Sequence, residues 1–129
     1  MADLVKDIAD WLQSQNYGTD GVNIFRDYSP ETPDQVICIY EYSSRPAAHD
    51  NSADRYIQVT VRDKSTTEAK EVAWKIYSKL INNEDGRVNF SNDRWCLVRL
   101  QRAPIKMKID NKNRTVWGFN TRMTTYNDY

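Results

Sequence analysis

The chain is short of the residues on which most catalytic and metal sites are built. Among its 129 residues there are one histidine (His49), two cysteines (Cys38 and Cys96), four glycines and four prolines. A lone histidine without a close cysteine pair excludes a zinc site of the usual spacing. Gly18, Gly21, Gly86 and Gly118 are too scattered to form a G-x-x-x-x-G-K or G-x-G-x-x-G phosphate loop, and no G-x-S-x-G elbow occurs. Net charge is missing as well, with 18 basic against 18 acidic side chains. That balance argues against a duplex binder driven by phosphate neutralisation, and it removes one barrier to self-association. No apolar run approaches the length of a membrane span. The charged start Met1–Asp7 is followed by no apolar h-region, so synthesis and folding in the cytoplasm of the producing cell are expected.

What is present is the composition of a soluble globular domain, 40% hydrophobic and 28% charged. The length fits a single domain over 1–129, large enough to fold without disulfide or metal. Leu4, Val5, Ile8, Ala9, Trp11 and Leu12 fall at helical spacing over 3–15, with Lys6, Asp7, Asp10 and Gln13 opposite them and Gly18 suited to a left-handed cap. A second helix over 66–82 follows the capping box Ser65-Thr66-Thr67-Glu68, with Ala69, Val72, Ala73, Ile76, Tyr77, Leu80 and Ile81 on its apolar stripe.

Strand patterns occupy the rest. Val22–Phe25 is short. Val36-Ile37-Cys38-Ile39-Tyr40 is a continuous apolar run that reads as a central strand buried on both faces. Ile57, Val59 and Val61 alternate with Tyr56, Gln58 and Thr60. Arg87–Phe90, a strand over 94–102 closed by Ala103-Pro104, and a last strand over 115–126 complete the set. The order α-β-β-β-α-β-β-β predicts an α+β fold, a mostly antiparallel sheet of about five to six strands with two helices packed on one face. A polar loop over 43–54 and a polar arm or hairpin tip over 105–114 are long, lack core residues, and are candidate assembly elements.

Catalytic, cofactor and metal residues are expected to be none, and the chain is expected not to be an enzyme. His49 lies in a polar loop and is a weak base candidate. Glu84-Asp85 reads as a helix-ending turn, and Asp50 and Asp54 lack cation-ligand spacing. Cys38 and Cys96 read as buried free thiols, with a disulfide possible only if their strands are neighbours. Arg62-Asp63-Lys64 reads as a strand end before a helix cap, or as a charged group at a subunit boundary. Trp11, Trp74 and Tyr77 are expected in the core. Tyr40, Tyr42, Tyr56, Trp95, Trp117 and Tyr126 would put aromatics on both sheet faces, as if one face met a partner. Interleaved basic residues, as in Arg94-Trp95 and Arg99–Arg102, keep open a single-stranded nucleic-acid-binding sheet as the alternative.

Three stretches carry a resemblance to a known family. Gln58-Val59-Thr60-Val61-Arg62-Asp63-Lys64-Ser65 is followed by Glu68-Ala69 and by Ala73-Trp74-Lys75-Ile76-Tyr77 with Leu80. The opening helix Leu4–Leu12 precedes it, and Pro33-Asp34, Val36, Tyr40-Glu41-Tyr42 and Arg45-Pro46 lie between. Together they resemble the bacteriophage minor capsid proteins that include tail-terminator, tail-completion and head–tail joining proteins. The resemblance implies a structural virion protein that caps the tail tube and joins it to the head connector. It further implies a homo-oligomeric ring, often six-fold, with the tail tube protein and a head completion or connector protein as partners. Location in the virion tail, assembly in the host cytoplasm, no membrane and no specific nucleic-acid binding go with it.

Overall fold

The computed structural model describes residues 3–46, 52–82, 86–90 and 93–126. Helix α1 (Leu4–Ser14) opens at Asp3, whose Oδ1 accepts from the backbone N–H of Val5 and Lys6. Asn16, at φ 66°, takes the left-handed position after the helix, where the sequence pointed to Gly18. Asn tolerates that region because its short polar side chain bonds locally. Strands β1 (Ile24–Arg26), β2 (Val36–Pro46) and β3 (Ala53–Asp63) follow. Helix α2 (Thr66–Ile81), then β4 (Arg87–Asn89), β5 (Trp95–Ile109) and β6 (Thr115–Thr125), complete the chain.

The sheet order is β1-β2-β3-β6-β5-β4, antiparallel throughout except for the parallel pair β1–β2. The two helices share one face. Ile37 and Ile39 of β2, Ile57, Val59 and Val61 of β3, Cys96 of β5, and Phe119 and Met123 of β6 meet Leu4, Ile8 and Leu12 of α1 and Ala69, Ala73, Ile76 and Leu80 of α2 in one core. Small Ala69 and Ala73 let α2 lie close to the strands. The α+β expectation holds, and β2 is buried on both sides as its unbroken apolar run implied. Val36 and Cys38 are covered on the far face by the segment that Arg62 gathers.

Four expectations change. The loop over 43–54 is mostly sheet: Ser43–Pro46 pair with Ala53–Tyr56, after a bulge at Tyr42. Residues 47–51 lie outside the described residues, with His49 and Asp50 among them. Backbone pairing with a neighbouring strand overrode a polar composition. Likewise β5 does not close at Ala103-Pro104 but runs on to Ile109, and the arm over 105–114 is the end of the β5–β6 hairpin. Three bulges, between Leu100 and Arg102, Arg102 and Ile105, and Lys106 and Lys108, absorb the extra residues. Pro104 lies within the second, where its missing N–H breaks no regular ladder. Asp7, read as surface, is buried and bound twice by Arg94, through Nε (2.8 Å) and Nη2 (3.1 Å). Finally, Ser65 caps α2 through Oγ to the Glu68 N–H (3.2 Å), while its own N–H donates to Asp63 (3.0 Å). The Asp63 carboxylate thus takes the place expected of Glu68.

Candidate functional site

One end of the sheet is stitched by two buried arginines. Arg62 leaves β3 toward the segment between β1 and β2. It donates to the carbonyls of Asp34 (3.2 Å), Pro30 (2.7 Å) and Pro33 (2.6 Å) and to the Ser29 hydroxyl (3.1 Å). Burial, then the nearby Arg114 guanidinium, lowers its pKa. Arg114, at the foot of the β5–β6 hairpin, donates to the Glu31 carbonyl (2.6 Å) and to Asp110 (2.8 Å). Burial resists ionisation of Asp110. The backbone N–H groups of Arg114 and Lys112 and the Arg114 guanidinium outweigh it and hold the carboxyl near about 2. Lys112 and Glu31 close the contact with an exposed ion pair (2.8 Å). The hairpin is therefore fixed to the 29–34 segment by charged hydrogen bonds rather than by apolar packing. Of the Arg62-Asp63-Lys64 group, Arg62 and Asp63 serve the fold, and Lys64 reaches Asp34 at 3.4 Å.

Beside this stitch a pocket of about 310 Å³ is lined by Ser29, Tyr40, Gln58, Thr60, Arg62, Met107, Lys108 and Val116. Burial, then the neighbouring Cys38, pushes Tyr40 up to about 12, so its hydroxyl stays protonated near neutral pH. Met107, swung out by the third bulge, lies over Gly118, where a Cβ would meet its Sδ at 2.5 Å.

Beyond the part covered by the segment that Arg62 gathers, the face away from the helices is open. The register places Ser43, Tyr56, Arg122 and Arg99 in one row across β2, β3, β6 and β5, and Gln58, Asn120 and Arg102 in the next. Tyr42 tilts toward Tyr56 (ring centroids 6.1 Å), and Trp95 toward Tyr126 (5.2 Å) with the Arg87 guanidinium 4.3 Å over the indole. The expectation of aromatics on both faces holds, since Trp117 packs on the helix side. Trp74, expected in the core, is 40% exposed on α2. Tyr77 is buried, and Trp11 packs at the core margin. The strands place one acidic residue on the open face, Asp54, which accepts from the Thr124 hydroxyl at 2.8 Å.

The residues weighed for chemistry are not brought together. Cys38 and Cys96 are free and buried on strands separated by β3 and β6, which rules out the disulfide. Burial, then Asp7, raises the Cys96 thiol to about 12. Glu84 and Asp85 lie outside the described residues. Among the described residues no three His, Cys, Asp or Glu side chains gather as metal ligands, and no helix is long and apolar enough to cross a membrane. Sequence reasoning singled out the basic stretch Arg99–Arg102 but missed that Arg122 joins it, because Arg99 and Arg122 meet only through the β5–β6 register.

The helices and the sheet make a two-layer α+β protein with one broad sheet face left open. The model of one family, described as bacteriophage tail terminator protein, matches residues 11–127. With that much of its length matched, the chain belongs to the bacteriophage tail terminator family, a class of structural virion proteins of the tail. No curated protein matches it.

Proposed function

We propose that the protein caps the head-proximal end of the tail tube, stops its growth, and presents a surface to the head completion or connector protein. Copies act as a ring, with six-fold symmetry the first one to test. The observation that carries this reading is the family match over residues 11–127, which names a tail terminator. The open face supports it, because aromatic and arginine side chains without a covering layer are typical of surfaces that meet protein partners. The protein works by docking, with no reaction of its own. Assembly takes place in the host cytoplasm before the subunit enters the virion. The β5–β6 hairpin end and the 43–54 connection are the elements that reach neighbours.

A ring needs a head-to-tail contact in which two different patches meet. The outer edge of β5 is poorly suited to extend the sheet into a neighbour. Its three bulges, Pro104, Lys106 and Lys108 are the devices that keep strand edges from pairing. Contact through side-chain faces is favoured over backbone pairing.

The open face also supports the second reading, a sheet that holds single-stranded nucleic acid. Deleting the gene from its phage separates the two. Capping predicts tubes of abnormal length and heads without attached tails, restored by the protein supplied in trans. Normal, infectious particles from the deletion overturn the proposal.

A further inference from the structure

We infer that copies join edge to edge, the β5 border of one sheet packing against the β1 border of the next. This inference rests on the self-assembly reading above and names its two surfaces.

The fold leaves large apolar side chains uncovered along two borders. The order β1-β2-β3-β6-β5-β4 puts β1 at one side of the sheet. On the other side β4 pairs only with Trp95–Leu97, so the later part of β5 is itself the border. Among the described residues, every exposed large apolar side chain except Trp74 lies along one border or the other. Ile105, Met107 and Ile109 are on β5. Val22 is in the turn that leads into β1, Tyr28 follows β1, and Tyr42 is on β2 beyond the point where β1 ends. Exposed apolar clusters of this kind mark contact surfaces.

The two clusters lie at the same height. Phe25, Cys38, Thr60, Gly118 and Ile105 form one continuous row across β1, β2, β3, β6 and β5. Ile105 is at one end of that row. Phe25 is at the other, with the Tyr28 ring edge-on to it at 5.4 Å. Copies set side by side with strands aligned therefore bring the aliphatic cluster against the aromatic one without sliding. Charge agrees with this pairing. The stretch Arg99–Ile109 contains no acidic residue, and exposed Arg102, Lys106 and Lys108 have no ion pair among the described residues. On the β1 border, Asp20 (3.6 Å) and Asp3 (3.9 Å) flank Arg26, and Asp27 has no ion pair among the described residues. The Asp27 N–H donates to the Ile39 carbonyl, which sets Asp27 beside the row Tyr40, Gln58, Asn120 and Arg102. Asp27 and Arg102 thus end one row as Phe25 and Ile105 end another. Two different borders meet in such a contact, so it is heterologous, repeats head to tail, and closes if the rotation allows.

Two kinds of variant test it in the full chain. Ile105→Ser/Ile109→Ser strips one border and Val22→Ser/Tyr28→Ser the other. Thermal melting checks folding, and mass is read by sedimentation velocity. Each pair is expected to fold and to lose self-association by at least about tenfold. Tyr28→Cys and Ile105→Cys are then made singly and treated with a short bismaleimide, to which buried Cys38 and Cys96 do not react in the folded chain. An equal mixture of the two is expected to give more covalent dimer than either alone, a readout that stands even if a serine pair fails to fold. Folded serine variants that associate as the wild type does, or a mixture that crosslinks no better than its parents, overturn the edge contact and leave the ring intact. Serine variants that associate normally but no longer bind tail tubes also overturn it and assign these borders to the tube. A wild-type chain that never associates, alone or on tail tubes, overturns the ring as well.

Discussion

Arg62 and Arg114 take on work that a hydrophobic cluster would do in a larger domain. Each ties a segment distant in sequence through carbonyl oxygens, which titrate nowhere near physiological pH. Arg62→Leu leaves three backbone carbonyls and the Ser29 hydroxyl to find new donors. It is expected to cost roughly 2–4 kcal/mol in denaturant unfolding, with the pocket beside Tyr40 collapsing. Asp110 gives the pH dependence. Its carboxyl is lowered from the ordinary 3.8 to about 2, so its stabilising effect is fully present above the ordinary value and is lost as pH falls through about 2. Unfolding curves of the wild type and Asp110→Asn should therefore differ at neutral pH and converge as pH falls from about 4 to about 2. A gap that stays constant over that window assigns the stability to something other than the Asp110 charge. The two thiols behave as core atoms: a thiol reagent is expected to label Cys38 and Cys96 only on global unfolding.

At the scale of elements, the joints between strands and helices set what a change costs. Ser65→Ala removes the side-chain acceptor of the Glu68 N–H at the start of α2 and is expected to cost about 1 kcal/mol. Gly118→Ala is more informative. The new Cβ meets the mobile Sδ of Met107 but also the Val59 carbonyl at 3.0 Å, which is held in the β3–β6 ladder. A loss of about 1–2 kcal/mol is expected, only partly recovered by adding Met107→Ala, since the sulfur can move and the backbone cannot. Full recovery places the whole clash on the sulfur. Element type and order were legible from the sequence because apolar spacing is local: three residues for α2, two for β3. The parallel pairing of β1 with β2 was not, because Asp27–Gln35 gives no sign of which way the chain returns. The long reach of β5 was hidden by Pro104, which signals a strand end unless a bulge receives it. Asp7 looked solvated because its partner, Arg94, is 87 residues away. The meeting of Arg99 with Arg122 was illegible for the same reason: the two share a row only after the bulges fix the register.

The whole molecule is neutral, yet Arg99, Arg102 and Arg122 gather on the open sheet face, and that uneven spread sets how it should respond to salt. Pairing between exposed guanidiniums and carboxylates of different copies acts through solvent. It is screened over about 10 Å at 0.1 M salt and about 3 Å at 1 M. Apolar packing does the reverse, since salting-out ions such as sulfate strengthen burial. The aromatic flanks of the sheet belong to the second kind, the Arg99–Arg122 row to the first. Association measured in sodium chloride from 0.05 to 0.5 M is expected to weaken by about tenfold, because charge sets the register while the aromatics add area without direction. Association that is unchanged by chloride and strengthened by sulfate would mean that the aromatics hold the copies together and that the arginines answer some other anion. The same titration on Trp95→Ala, which removes a sheet-face aromatic, separates the contributions. If both kinds act at one interface, the variant binds more weakly at every salt concentration but keeps the wild-type slope.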